Sequence, residues 1–214
     1  MKIFLIRHGE SIANVGENYK ERILDSKVTL TENGIHQALV AGRWLKEYCD
    51  INGIDLNQAV IWRSPYKRTI QTCDAFNQSL KIKRIKEDVT LVEQRFGLFD
   101  CIPDEELPKI YPVEFEEFQR QKKNGGKFFA KPPMGEAPYD VAIRIHQFFG
   151  TIRRDYEKHG TDTLFVFTHG TTLRCFLMRY FHYTLDWYEA EHNPKNCWVR
   201  LIDGDKDMGY IYNQ

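Results

Sequence analysis

Two histidines of the sequence are each followed by glycine, and each comes at the end of a short apolar run. His8 comes after the run at residues 2–6, and His169 comes after the run at residues 163–167. Both runs have the length and composition of buried strands. Ligands of open α/β sheets bind beyond the carboxyl ends of the strands. We therefore expect the two imidazoles to face each other across adjacent strands, where they can attack or hydrogen-bond a ligand.

Arginines accompany the histidines. Arg7 directly precedes His8, and Arg68 ends the segment Arg63-Ser-Pro-Tyr-Lys-Arg68, in which another apolar run passes into a helix. Guanidinium groups match phosphate oxygens with two parallel hydrogen bonds, and helix N-termini add backbone N–H donors. The sequence therefore predicts a compact cationic pocket that binds a phosphoryl group, although the whole chain is neutral.

The residue types of such a pocket are suited to phosphoryl transfer. One histidine can attack phosphorus, while the arginines and the second histidine stabilise charge on the equatorial oxygens. The leaving oxygen also needs a proton, and Glu93 is the candidate acid. Asp100 and the acidic stretch at residues 104–106 are rival carboxylates, which we interpret as a solvated face.

The order of these motifs resembles that of one protein family. The motifs match the histidine phosphatase superfamily, also called the phosphoglycerate mutase-like family, over residues 2 to about 199. They are Arg7-His8-Gly9-Glu10, Arg68 within Ser-Pro-x-x-Arg, Leu-x-Glu93-x-x-x-Gly and His169-Gly170.

This resemblance implies a role for each matched residue. It implies that His8 is the phosphorylated nucleophile, that Glu93 is the proton donor, and that no metal or other cofactor takes part. The other matched residues are implied to contact the substrate: Arg7, Arg68 and His169 as the phosphate pocket, with Asn14 and Gly170 beside it.

Further segments resemble the phosphatase branch of that family more than its glycolytic mutases. Those mutases carry a paired arginine segment that binds the substrate carboxylate, whereas residues 104–131 here hold isolated lysines and Arg120. We therefore expect a metal-independent phosphomonoesterase that hydrolyses small phosphate esters through a phosphohistidine on His8. A cofactor-dependent phosphoglycerate mutase and a catalytically weak relative that binds a phosphorylated ligand remain as alternatives.

The elements that must position these residues alternate along the chain. Strand-like and helix-like segments follow one another, which predicts an α/β fold with a mainly parallel sheet and helices on both faces. We expect one domain over residues 1–214, with a small cap or lid at about residues 103–138. Thr31 is predicted to cap a helix, and Ser64-Pro65 to open another with proline in its first turn. Phe128, Phe129 and Tyr139 indicate either apolar leaving groups or core packing.

Composition limits the partners. Lys plus Arg and Asp plus Glu both total 30, so the formal net charge is +0 and gives no bulk attraction to nucleic acid or anionic lipid. No run approaches the ~20 apolar residues of a membrane helix, and the N-terminal residues lack a signal-peptide pattern. The five cysteines are scattered, as in reduced cytoplasmic proteins. We expect a cytoplasmic protein with a small phosphate ester as partner, without nucleic acid or membrane, and the resemblance allows a homodimer.

Overall fold

The computed structural model describes residues 1–16 and 23–214, and a six-stranded sheet forms its centre. The strands are β1 (Lys2–Arg7), β2 (Val60–Arg63), β3 (Arg84–Glu87), β4 (Thr163–Thr168), β5 (Val199–Asp203) and β6 (Lys206–Tyr212). Their order across the sheet is β3-β2-β4-β1-β5-β6. The first four in that order are parallel, whereas β5 and β6 are antiparallel to their neighbours. The predicted α/β fold with a mainly parallel sheet is confirmed.

Helices cover both faces of this sheet. On one face lie α1 (Glu32–Ile51) and α2 (Lys67–Leu80), and on the other α5 (Pro138–His159), α6 (Gly170–Phe181) and α7 (Leu185–Ala190). Two further helices, α3 (Leu107–Ile110) and α4 (Pro112–Gly125), pack on a separate apolar cluster. Side chains of β1 alternate between two cores: Ile3 and Leu5 pack with α5 and α6, and Phe4 and Ile6 pack with α1 and α2. A strand buried on both faces must be apolar throughout, which explains the continuous run in the sequence.

Two predicted helix starts have different outcomes. Thr31 caps α1 as predicted, since its side chain accepts a hydrogen bond from the backbone N–H of Gly34 at 3.0 Å. The prediction for Ser64-Pro65 is wrong, because α2 begins at Lys67 and Pro65 lies before it. The backbone N–H of Ser64 is still bonded to Phe167 at the end of β4, so the chain turns into the helix only afterwards.

The C-terminal end of the sheet is a hairpin. It consists of β5 and β6, and Gly204 provides the positive φ of the turn between them. Strand β6 was not predicted, and its residues are mostly half-exposed at the edge of the sheet.

The cap, which we define as residues 103–138, lies beyond the carboxyl ends of the parallel strands. Its helices α3 and α4 pack on a small apolar cluster formed by Phe99, Leu107, Phe118 and Ala130. Among the residues that the structure describes, no helix combines the length and apolarity needed to cross a membrane.

Candidate active site

The two histidines leave the sheet side by side. β1 and β4 are adjacent and parallel, and their last paired residues are Arg7 and Thr168. His8 directly follows β1, and His169 directly follows β4. Their ring centroids are 5.2 Å apart in an edge-to-face arrangement.

The hydrogen bonds of His8 determine which of its nitrogens can react. Nδ1 lies 2.7 Å from the carbonyl oxygen of Gly9, and a carbonyl can only accept. We therefore assign the proton to Nδ1, which leaves the lone pair on Nε2. Burial, together with the charges of Arg68 and Arg7, lowers the pKa of His8 well below its ordinary value. The imidazole is thus kept neutral.

His169 lies behind His8, completely buried. Its Nε2 is 2.9 Å from the hydroxyl oxygen of Ser64, whereas Nδ1 has no hydrogen-bond partner in the described part of the chain. Burial and the nearby charges, first that of Arg68, lower the pKa of His169 well below its ordinary value. Ser64 was not predicted as a site residue, although it belongs to the motif that contains Arg68.

Arg7 and Arg68 are both buried, but their partners differ. One terminal nitrogen of Arg7 donates to the carbonyl oxygen of Pro194, and its Nε is buried without a partner among residues 1–16 and 23–214. Burial lowers the pKa of Arg7; the charge of Glu93 opposes this shift, and that of Arg68 adds to it. The guanidinium of Arg68 binds Asp25, which was not predicted as a site residue.

Glu93 is held by the N-terminus of α6. Its two carboxylate oxygens accept hydrogen bonds from the backbone N–H groups of Thr171 and Thr172, each at 3.2 Å. A third comes from the backbone N–H of Gln94 at 2.9 Å. Helix N-termini attract carboxylates, so the residues after His169 fix the predicted acid beside the histidines.

The loop that carries Glu93 is supported by an ion pair that the sequence analysis missed. Arg144 of α5 donates to the backbone oxygens of Glu93 and Thr90, at 3.1 and 2.5 Å. The same guanidinium binds both carboxylate oxygens of Glu136, at 3.1 and 3.2 Å. Both side chains are largely buried, so this pair anchors the loop to α5.

Asn14 and Gly170 have different surroundings. Asn14 lines the cavity in front of His8, and its side-chain oxygen accepts a hydrogen bond from Asn196 at 3.1 Å. Asn196 also donates to the backbone oxygen of His8 at 3.0 Å. Gly170 begins α6 and lies against Asn193, where a Cβ would come within 2.9 Å of the side-chain carbon. Neither Gly170 nor His169 lies in the described wall of the cavity.

That cavity has a volume of about 470 Å³ and runs from His8 to the cap. Arg7, His8, Asn14, Arg68 and Glu93 line its inner end together with Asp25; Phe96, Phe99, Phe118, Asp100, Asp104 and Lys122 belong to the rest of its wall. This size suits a small molecule.

The structure favours core packing for Phe128, one of the two interpretations left open, and corrects the interpretation of two acidic residues. Phe128 and Tyr139 line a separate cavity against α6, and Phe128 belongs to the core. Asp100 and Asp104 are not simply a solvated face, because both line the cavity in front of His8. Burial raises the pKa of Asp100. The described residues contain no group of three or more His, Cys, Asp or Glu side chains suited to hold a metal ion.

Comparisons with known proteins give a consistent result. Residues 3–212 match the family model of the histidine phosphatase superfamily, branch 1. A phosphoglycerate mutase-like protein of Arabidopsis thaliana, AT74H, is 30% identical over 94% of this chain and 73% of that protein. The broad-range acid phosphatase DET1 of Saccharomyces cerevisiae is 23% identical over 96% of this chain and 86% of that protein. The fold is similar to the solved structure of the alpha-ribazole phosphatase from Shigella flexneri, with a TM-score of 0.74 and 19% sequence identity. The match covers 100% of this chain and 96% of that chain.

Proposed function

Since this chain belongs to the histidine phosphatase superfamily, branch 1, and is a phosphatase, we propose that it hydrolyses small phosphate monoesters without a metal ion, through a phosphohistidine on His8. The observation that carries the proposal is the state of His8. Its Nε2 has the free lone pair, its pKa is lowered, and two arginines line the same cavity.

The first half of the reaction transfers the phosphoryl group to the protein. Nε2 of His8 attacks phosphorus as the bond to the ester oxygen breaks. Arg7 and Arg68 stabilise the charge on the equatorial oxygens. The protonated carboxyl of Glu93 gives its proton to the leaving oxygen, so the product leaves as a neutral alcohol.

The second half returns the protein to its starting state. Water attacks the phosphohistidine, and the carboxylate of Glu93 takes a proton from that water. The phosphorus–nitrogen bond breaks, and its electron pair returns to Nε2 of His8. Inorganic phosphate is released, and Glu93 is protonated again.

The outer cavity supports a substrate whose leaving group is partly apolar and carries a negative charge. Phe96 and Phe118 supply apolar wall, and Lys122 adds an ammonium group from the cap, 4.2 Å from the ring centre of Phe118. Burial lowers the pKa of Lys122. Such a lysine gains from an anionic partner, and a carboxylate or a second phosphate on the leaving group would supply one.

The test is phosphate release from p-nitrophenyl phosphate in the presence of a chelator. We expect turnover by the native protein and by His36→Ala, in which an exposed histidine is removed as a control. His8→Ala should show neither turnover nor covalent labelling from a ³²P-labelled ester. Loss of native turnover on adding chelator contradicts metal independence, and labelling of His8→Ala contradicts the assignment of the nucleophile.

The alternative functions are decided by two further results. A mutase transfers the phosphoryl group back to phosphoglycerate, which a coupled assay with a bisphosphoglycerate primer detects. A weakly catalytic relative would bind inorganic phosphate without turnover. The cytoplasmic location, the homodimer and the lack of nucleic-acid or membrane partners stay predictions.

A further inference from the structure

The guanidinium of Arg68 is occupied by one carboxylate. Nη1 donates to Oδ1 of Asp25 at 2.8 Å and to its backbone oxygen at 2.7 Å, and Nη2 donates to Oδ2 at 3.1 Å. The side chain of Arg68 is only 5% exposed. Both hydrogens of Nη1 and one of Nη2 therefore serve Asp25.

These donors are the ones that a phosphoryl group would use. A carboxylate and a phosphate both bind the terminal fork of a guanidinium through two parallel hydrogen bonds. Asp25 lines the same cavity as His8 and Arg7, and Arg68 is close enough to His8 to lower the pKa of that imidazole. A phosphoryl group at His8 would therefore need the Arg68 donors that the negatively charged carboxylate of Asp25 already uses.

We propose that Asp25 is an internal counterion that competes with the phosphoryl group for Arg68. This inference rests on the proposed function. Binding of the phosphoryl group shifts the hydrogen bonds of Arg68 from Asp25 to phosphate oxygens, and release of inorganic phosphate restores the pair. Asp25 thereby weakens the binding of product and favours turnover.

Asp25 eases the release of phosphate because an unpaired buried charge is costly in free energy. A buried guanidinium that loses its only anionic partner is strongly destabilised, so phosphate bound to Arg68 alone would be released slowly. With Asp25 present, Arg68 keeps an anionic partner at every stage. Arg7 differs, because its hydrogen bond goes to the uncharged carbonyl of Pro194.

The position of Asp25 permits the exchange. It begins a single 3₁₀ turn, Asp25–Lys27, and its side chain is 28% exposed. Within the described residues, its carboxylate has hydrogen bonds only with Arg68. A rotation of this side chain towards solvent therefore breaks no other described hydrogen bond of the carboxylate.

The experiment measures the affinity for inorganic phosphate directly, by calorimetry, and as inhibition of p-nitrophenyl phosphate hydrolysis. Asp25→Asn keeps the shape of the side chain and removes its charge. We expect it to bind phosphate about tenfold more tightly, with KM lowered in parallel, since one repulsive charge beside the anion is gone. Asp74→Asn is the matched control, because Asp74 pairs with Arg63 on the outer face of α2.

A merely structural role of Asp25 cannot tighten phosphate binding, so the direction of the change is decisive. Weaker or unchanged binding by Asp25→Asn overturns the proposal, as does an equal gain in an Arg68→Met background, where no competition exists. In the native protein, saturation with phosphate should also shift the ¹³C signal of the Asp25 carboxyl group, and an unmoved signal overturns it.

The two proposals can fail separately. Native protein that binds phosphate but does not turn over contradicts the proposed function, while the comparison of Asp25 variants still decides the present inference. Native protein that does not bind phosphate overturns both.

Discussion

Glu93 and Thr172 are joined through the hydroxyl group of the threonine. Oγ1 of Thr172 lies 2.7 Å from the carbonyl oxygen of Val92 and 3.2 Å from Oε1 of Glu93. The carbonyl can only accept, so the single hydroxyl proton goes to Val92. The hydroxyl thereby ties the backbone before Glu93 to α6, directly beside Oε1, which also accepts the backbone N–H groups of Thr172 and Gln94.

The first prediction concerns Thr172. Thr172→Val keeps the backbone N–H that binds Glu93 but removes the hydroxyl that donates to the carbonyl of Val92. The carboxyl group of Glu93 is then held less firmly, so kcat should fall about tenfold. Thr171→Val is the matched control, because only the backbone N–H of Thr171 contacts Glu93. Equal rates for the two variants would remove the hydroxyl from the mechanism.

The second prediction separates proton donation from phosphoryl transfer. Glu93→Gln keeps the size of the side chain but has no acidic proton. It should slow the hydrolysis of alkyl phosphates by about 10²–10⁴-fold. p-Nitrophenyl phosphate should be affected less in the first half-reaction, because nitrophenolate leaves without a proton. Burst kinetics with both esters checks this, and an equal loss for both would contradict a role as acid.

The third prediction concerns stability and pH. His8 and His169 have folded-state pKa values well below the ordinary 6.5, so below that pH the unfolded chain binds protons that the folded chain does not. The free energy of unfolding should fall as the pH drops below about 6.5, by up to ~1.4 kcal/mol per pH unit for each histidine. Urea unfolding at pH 7.5, 6.5 and 5.5 measures this slope.

Variants test whether the two histidines cause this change in the free energy of unfolding with pH. His169→Asn should remove about half of it, whereas His36→Gln, an exposed position, should leave it unchanged. A slope that survives in the double variant of His8 and His169 would assign the pH dependence to other groups.

The fourth prediction concerns the pH dependence of activity. Because His8 stays neutral under mildly acidic conditions, its protonation does not reduce kcat/KM between pH 7 and pH 6. Activity should be highest at mildly acidic to neutral pH. A rate that is still rising above pH 9 would contradict this assignment of acid and nucleophile.

The fifth prediction concerns the choice of substrate. Lys122→Met should raise KM about tenfold for esters whose leaving group carries a carboxylate or a second phosphate, such as phosphoserine. KM for p-nitrophenyl phosphate should change little. Lys123→Met alters the neighbouring exposed lysine and should affect neither. Equal effects on both kinds of ester would show that Lys122 does not contact the leaving group.

The parts of the site that the sequence predicts are those fixed by short stretches of chain. Arg7, His8 and His169 follow apolar runs that could only be buried strands, and the ends of such strands meet at one edge of a sheet. Their position beside one another could therefore be predicted from local pattern alone.

The parts that could not be predicted depend on contacts between distant segments. Nothing in the residues around Asp25 indicates that it reaches Arg68, and Arg144 reads as an ordinary helix residue until α5 is placed against the Glu93 loop. The choice between the two interpretations of Phe128 stayed open for a similar reason. An apolar residue of a cap has the same local pattern whether it lines a cavity or packs into the core.

The pairing of β1 with β4 has a consequence for synthesis of the chain. Lys2 pairs with Thr163, about 160 residues later, so at ~5–20 residues per second roughly 10–30 s pass before the partner strand exists. During that time β1 is an apolar segment with neither of its neighbours in the sheet, since β5 follows later still. His8 thus emerges from the ribosome well before His169 and Arg200, and the nascent chain depends on chaperones, or on fast burial of β1 against α1, to escape aggregation.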